Sequence, residues 1–260
     1  KRQLEDDMSA KRRIAITGLG TVNPLGNDVA TTWERVAAGQ SGVGTITRFD
    51  ASDMKVRIAA EVKAFDSVAL FGRREARRMA RATQFAMAAA NQAMADSGLT
   101  VTDANRDRIG VVLGTGMGSL DPIVDGAATA VARGPERVSP FFVPMMLSDT
   151  PAGLISIAHT LCGPNMSVST ACATGNNALG EAAAIIQRGA ADVMLAGGTD
   201  ACIIPLGIGA FTVMGALSTR NAAPQEASRP FDRDRDGFVA GEGAGVVVLE
   251  DWNHAIDRGE

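Results

Sequence analysis

"SVSTACATGNNALGEAAAIIQRGAADVMLAGGTDA" occupies residues 167–201. A β-branched run ending at Thr170 reads as the close of a short strand over 165–170. Residues 173–189 carry small and aliphatic side chains at helical spacing and stop at Gly189, a residue suited to a helix terminus. Residues 192–200 are an apolar run of the length of a buried strand. Strand, helix and strand in about 35 residues make the unit from which parallel sheets are built. Cys172 sits where the first strand hands over to the helix.

The same alternation extends outward. "RIAITGLGTV" (13–22) predicts a buried strand bounded by the turn residues "NPLGND". Asp28 or Asn27 is placed to cap a helix running to about Ala38. "KVRIAAEV" (55–62) alternates and predicts a strand. A long helix is expected from about Arg73 to Ser97, stopped by Gly98, with Met79, Phe85, Met87, Ala90 and Met94 on one face. "RIGVVLGTGMGS" (108–119) predicts a strand entering a glycine loop, and a further helix is expected from about Asp149 to Leu161. "RDGFVAGEGAGVVVLE" (235–250) reads as two short strands meeting at glycines, and "DWNHAIDRGE" opens a helix. The fold class is α/β with a largely parallel sheet.

Composition narrows the function. The 260 residues are 46% hydrophobic and 21% charged, with net charge −4. That balance gives a sizeable core and no reason to expect a nucleic-acid partner. No apolar run has the length of a membrane span. Cys162, Cys172 and Cys202 are the three cysteines. So odd and sparse a set suits a reducing, cytoplasmic compartment and offers no zinc-ligand spacing. Residues 1–12, with a candidate start at Met8, read as an N-terminal extension or cloning remnant, and 13–260 as the folded unit.

Several motifs resemble known sites and fail on one position each. "GLGTVNPLG" has Asn23 where a dinucleotide fingerprint needs its third glycine. "GTGMGS" (114–119) lacks the lysine of a P-loop. Asp232, Asp234, Asp236 and Gly237 begin like a calcium loop, but its twelfth position is Gly243 instead of a glutamate. His159 reads as a core or interface residue and His254 as solvated. Cys162 and Cys202 read as small buried hydrophobes.

Cys172 differs by its setting. A thiol at a helix N-terminus meets backbone N–H groups and the positive end of the helix dipole. Its own N–H is a candidate oxyanion donor. A cysteine merely filling a helix–strand joint is the alternative that local features leave open.

The stretch from Ser169 to Ala201 resembles the nucleophile segment of the β-ketoacyl-acyl-carrier-protein synthases, in the thiolase superfamily. "ITGLGTVNPLG", "GVVLGTGMGS", "SPFFVP", "ALSTRN", "ASRPFDRDRDGFVAGEGAGVVVLE" and "HAIDRG" extend the likeness over nearly the whole chain from Arg13, in order. It is nearest to the elongating type II synthases and to polyketide ketosynthases. The resemblance implies a thiolase-like fold, with this chain the first half of a five-layered αβαβα sandwich. It implies Cys172 as catalytic nucleophile, taking an acyl group from the phosphopantetheine arm of acyl carrier protein. Decarboxylation of a malonyl carrier protein then drives condensation to a 3-oxoacyl product.

By the same resemblance, Met117, Phe142, Ala171 and Phe211 line the acyl site. Arg74, Arg77, Arg78 and Arg137, with Arg73, form the basic surface for acyl carrier protein. Gly215 stands where relatives are basic, and Glu136 precedes Arg137, which implies a shifted surface with Arg133 as compensation. No free cofactor and no metal is implied; a homodimer and a C-terminal half of the same fold are. The family's catalytic histidines belong to "THGTGT"-like and "GFGGHN"-like motifs that this sequence does not contain. Polyketide service, or a non-catalytic partner half, are the other readings, and retained Cys172 weighs against the second.

Overall fold

The computed structural model describes residues 12–260, so most of the expected N-terminal extension lies outside the described residues. Nine helices and seven strands are described. The central sheet joins β1 (Ile14–Val22), β7 (Gly243–Asp251), β6 (Val193–Asp200), β4 (Ile109–Gly114) and β5 (Asn165–Met166) in that order. β4 runs parallel to both β6 and β5, while β7 is antiparallel to β6 and to β1. The sheet is therefore mixed. The parallel half arises from strands joined through helices, as 165–200 predicts, and the antiparallel half from β7 returning beside β6.

Helices cover both faces. On one, α3 (Arg81–Asp96) and α6 (Thr150–His159) pack against Val111 and Leu113 of β4 and Val246 and Val248 of β7. On the other, α7 (Thr174–Gln187) packs through Ala178, Ala182, Ile185 and Ile186 against Val112, Met194 and Ala196. Successive strand residues alternate between these clusters, so the near-continuous apolar runs of β4 and β6 serve two cores. α3 lies on β1 at backbone range. A Cβ on Gly20 would stand 1.9 Å from the Ala89 carbonyl oxygen. Both partners must be small there, and the alanine run of α3 supplies the other side.

Four expected elements differ. The helix over 73–97 is two helices: α2 (Ser67–Ala76), kinked at Gly72, and α3. Ala80 is extended between them, and Gln84 Nε2 donates to the Ala76 and Met79 carbonyl oxygens at 2.9 and 3.1 Å, satisfying acceptors that a continuous helix would use. The strand expected over 55–62 pairs only at β3 (Ile58–Ala59), with β2 (Gly44–Thr45). Its neighbouring backbone groups are taken by side chains: Arg57 N–H by Asn221, and Val62 N–H by Glu242. β5 keeps two of the six residues expected. The two strands expected at 235–250 are one, β7; Gly237 and Phe238 precede it in a loop where a Cβ on Gly237 would lie 2.5 Å from the Leu217 carbonyl carbon. By contrast, α1 (Val29–Ala37) begins where Asp28 accepts from Thr31 N–H at 2.7 Å, as its sequence predicts, and α9 (Trp252–Asp257) opens within "DWNHAIDRGE".

The excursion carrying β2 and β3 has its own small core with Ile203, Ile208 and Leu217. It meets the main sheet at Glu242, just before β7, which accepts from Val62 N–H at 3.0 Å and is itself held by an ion pair. Glu242, its side chain wholly buried, accepts from Arg81 Nε at 2.8 Å and Nη2 at 2.7 Å. Removing one member of such a pair strands a buried charge. Arg81→Met should lower unfolding stability by about 3 kcal/mol in urea titration; a loss under about 0.5 kcal/mol, the size of an ordinary surface change, would show that the pair does not bind the two parts.

Candidate active site

After β5 the chain turns at Thr170–Ala173. Ala171 has φ 51°, a left-handed conformation that costs an L-residue about 1–2 kcal/mol. A single 3-10 turn, Ala171–Ala173, then runs directly into α7. Cys172 is exposed in the middle of this elbow.

Glycines make room for it. A Cβ on Gly114 would stand 2.3 Å from Thr174 Cγ2 and 2.3 Å from the Val168 carbonyl oxygen. A Cβ on Gly198 would stand 3.2 Å from the Gly175 Cα. The ends of β4 and β6 thus reach the first turn of α7. Side chains then fasten the turn. Thr170 N–H donates to Thr174 Oγ1 at 2.8 Å, and the Thr174 hydroxyl donates to the Ala171 carbonyl at 2.7 Å. Asn177 Nδ2 donates to Thr170 Oγ1 at 2.8 Å.

The glycine loop after β4 is held by Asp200. Its carboxylate accepts from Thr115 Oγ1 at 3.0 Å, Gly116 N–H at 2.9 Å and Met117 N–H at 3.1 Å. Backbone donors that resemble a phosphate cradle are therefore occupied by the protein's own carboxylate. The same loop touches the elbow, since a Cβ on Gly116 would lie 3.1 Å from the Ala171 carbonyl oxygen.

Cys172 opens onto a cleft of about 540 Å³ bordered by Ala171, Gly175, Asn176, Gly198 and Asp200. No side chain caps α7, but the N–H groups of Ala173 and Thr174 at its start already donate to the Thr170 and Ala171 carbonyls, so the Cys172 N–H and the positive end of the helix dipole are what an anion would meet there. An exposed thiol, that N–H and a neighbouring backbone turn suit nucleophilic attack on a carbonyl and stabilisation of the oxygen that becomes charged.

The other thiols are differently placed. Cys202 is buried, and burial, reinforced by Asp200, pushes its thiol up to about 11. Cys162 is exposed, against the expectation of a buried hydrophobe, because α6 ends at His159 and the chain turns outward at Thr160 with φ 57°. Both histidines are engaged away from the cleft. His159 Nε2 lies 2.9 Å from Asn91 Oδ1, and burial lowers its pKa. His254 Nδ1 lies 2.5 Å from Glu250, so it is half-buried and paired instead of solvated. Burial alone would raise the Glu250 carboxyl, but bonds from Arg258, His254 and Thr17 hold it below the ordinary range. Asp236, from the calcium-like run, accepts from Ser218 and Thr219, and no metal-binding cluster occurs among the described residues.

Of the apolar residues expected beside Cys172, the structure puts Ala171 in the cleft and brings Met117 near through the Asp200 loop. Phe142, at the start of α5 (Phe142–Met146), lies against Gly126 of α4 (Leu120–Arg133), in a separate cavity with Arg77 and Asp121. Phe211, on α8 (Pro205–Val213), stacks edge-on with Phe238 at 5.4 Å in the small core. The arginines do not share one helix face: Arg73 and Arg74 end α2, and Arg77 and Arg78 lie in the break after it. They meet the other basic segment nonetheless. Arg78 lies 5.1 Å over the Phe141 ring, four residues beyond Arg137, and Arg77 shares a cavity with Val138 and Ser139. Glu75, which the sequence pattern did not single out, sits within 3.5 Å of Arg74 and 3.4 Å of Arg78.

Thr174, Asn177 and Asp200 were likewise not singled out. A threonine two places after the cysteine, able to bond back to the carbonyl three residues earlier, was the signal available for the first. The thiol environments predict a count. A chromogenic disulfide reagent should modify Cys172 and Cys162 in the native protein and Cys202 only on unfolding; three fast thiols in the native state would contradict the buried position of Cys202.

The family described as "Beta-ketoacyl synthase, N-terminal domain" matches residues 11–255. The chain is 47% identical over 250 residues to "3-oxoacyl-[acyl-carrier-protein] synthase 2" of Vibrio cholerae, covering 96% of this chain and 60% of that protein. The crystal structure of a β-ketoacyl synthase from Burkholderia phymatum superposes with a TM-score of 0.86 at 34% identity, over 96% of this chain and 61% of that one. A type II polyketide ketosynthase bound to its acyl-carrier protein and the hexaketide gives 0.83 at 31%, over 96% and 60%. The chain thus spans about 60% of the length of the curated relatives it matches. The fold is the thiolase-like one expected, and the chain belongs to the β-ketoacyl synthase family, whose N-terminal domain it carries.

Proposed function

We propose that this chain supplies the nucleophile of a 3-oxoacyl-[acyl-carrier-protein] synthase that elongates fatty acids. The observation that carries the reading is Cys172, exposed on a strained elbow at the uncapped N-terminus of α7. The Cys172 thiolate attacks the thioester carbonyl of an acyl-phosphopantetheine, the carbonyl's C–S bond to the arm breaks, and the arm leaves as its thiolate. The Cys172 N–H and the positive end of the α7 dipole stabilise the charge that develops on the carbonyl oxygen. A malonyl thioester then loses CO₂. The electron pair left on its α-carbon attacks the acyl-Cys172 carbonyl, a C–C bond forms, and the C–S bond breaks to return the thiolate. Decarboxylation is assigned to the family's later histidine motifs, since His159 and His254 are committed elsewhere.

The acyl carrier protein brings its own phosphopantetheine, so the reading needs no free cofactor. Met117, Phe142, Ala171 and Phe211 are proposed to contact the acyl chain, Ala171 directly at the thiol. Arg74, Arg77, Arg78 and Arg137 are proposed to receive the carrier protein; the Arg78–Phe141 contact supports one continuous basic surface, with Glu75 reducing its charge. A homodimer is supported by the exposed edge strand β5 and by exposed Val131, Val143 and Leu147. A covering C-terminal half is supported by Val213, Met214 and Phe231, which stand 89%, 73% and 99% exposed. No helix among the described residues is long and apolar enough to cross a membrane, and three unpaired cysteines fit a cytoplasmic protein. A polyketide ketosynthase remains the second reading, carried by the hexaketide-bound neighbour. Its 31% identity, beside 47% to the fatty-acid synthase, favours the first.

In a chain of the relatives' full length, Cys172→Gln should abolish acyl transfer and condensation while malonyl decarboxylation persists, read as CO₂ release without 3-oxoacyl product. Condensation by the variant would remove Cys172 from its role. Arg74→Glu with Arg137→Glu should raise KM for the carrier-protein substrate by about tenfold or more with a smaller effect on kcat, because rim charges govern encounter. An unchanged KM would place the docking surface elsewhere.

A further inference from the structure

We infer that Thr174 is a positioning residue for Cys172: its hydroxyl bridges the Ser169–Thr170 and Ala171–Cys172 peptides across the strained elbow, and so fixes where the thiol points. The inference rests on Cys172 being the reactive thiol of the cleft. Ala171 is held at φ 51°, which an alanine leaves unless bonded in place. The bond on its N-terminal side is Thr170 N–H to Thr174 Oγ1 at 2.8 Å. The bond on its C-terminal side runs from the same hydroxyl to the Ala171 carbonyl at 2.7 Å. One oxygen therefore accepts from the Ser169–Thr170 peptide and donates to the Ala171–Cys172 peptide, which carries the Cys172 N–H, so it spans Thr170 and the strained Ala171.

The hydroxyl is sheltered. Thr174 is 4% exposed, and its methyl group faces the space that Gly114 leaves open. Asn177 steadies the same turn through Thr170 Oγ1, but it bonds neither of those two peptides. Without the Thr174 hydroxyl, the Ala171 carbonyl keeps only the Thr174 N–H as donor and the Thr170 N–H loses its acceptor, so the elbow relaxes toward an ordinary conformation. The thiol and its N–H then leave the N-terminal axis of α7.

Two variants separate the hydroxyl from packing. Thr174→Val keeps the shape and the methyl group but removes both bonds. Thr174→Ser keeps the bonds and removes the methyl group. The readout is iodoacetamide alkylation of Cys172, followed by peptide mass, with exposed Cys162 of the same chain as internal reference, in a chain of the relatives' full length. Thr174→Val should slow Cys172 by about tenfold relative to Cys162, the order expected for lost hydrogen bonds, and Thr174→Ser should restore most of the rate. Thr174→Ala, which introduces no larger group, gives the same reading where the valine variant does not fold. A Cys172 to Cys162 ratio unchanged in folded Thr174→Val or Thr174→Ala would overturn the inference. So would a serine variant as slow as the valine one, since the methyl packing would then be responsible. This ratio is read without any condensation assay, so its failure is distinct from failure of the proposed function.

Discussion

Three backbone segments meet at one point beside Cys172. A Cβ on Gly198 would stand 3.2 Å from the Gly175 Cα and 3.6 Å from the Gly114 carbonyl oxygen, so the ends of two strands and the start of α7 occupy the space of one side chain. This close approach is the constraint from which the rest follows. It brings α7 onto the sheet at its first turn and leaves the chain no smooth path from β5 into the helix. The turn is made by placing Ala171 in a left-handed conformation. The alanine-lined contact of α3 with Gly20 repeats the same device on the opposite face of the sheet.

A strained elbow persists only where its surroundings over-determine it. Here they are the Thr174 hydroxyl, the Asn177 amide and the loop 115–118 docked on Asp200. The charge distribution follows the same division. Asp200 is already satisfied by three donors, whereas the first turn of α7 has no capping side chain. The dipole of α7 is therefore left to favour negative charge at the thiol and at the oxygen of an arriving thioester. The buried Arg81–Glu242 pair and the Glu250 cluster with Arg258 and His254 lie at the borders of the sheet, where they tie peripheral elements to it.

The elements around the site were legible in the sequence because each has a local cause. Gly189 ends α7 with φ 75°, Asp28 caps α1, and the apolar runs of β4 and β6 match strands buried on both faces. Cys172 was legible as a thiol at a strand–helix junction, and family resemblance supplied its role. The break between α2 and α3 was not legible, because Gln84 reaches back to carbonyls that periodicity assigns to a continuous helix. Nor was the single strand at 243–251: its antiparallel partners β1 and β6 are distant in sequence. Phe142 and Phe211 each join a cavity or core set by tertiary packing. Thr174 acts through two bonds that appear only once Ala171 is left-handed, a conformation that composition does not announce.

The account stands on acyl transfer to one thiol. The direct measurement is to mix a full-length chain with an acyl-carrier-protein thioester, withhold the malonyl donor, quench in acid, digest and weigh the cysteine peptides. The acyl mass should appear on the peptide bearing Cys172 and be released by hydroxylamine. An acyl mass on the peptides of Cys162 or Cys202, or on none of the three, would contradict the assignment of the elbow as the nucleophile site.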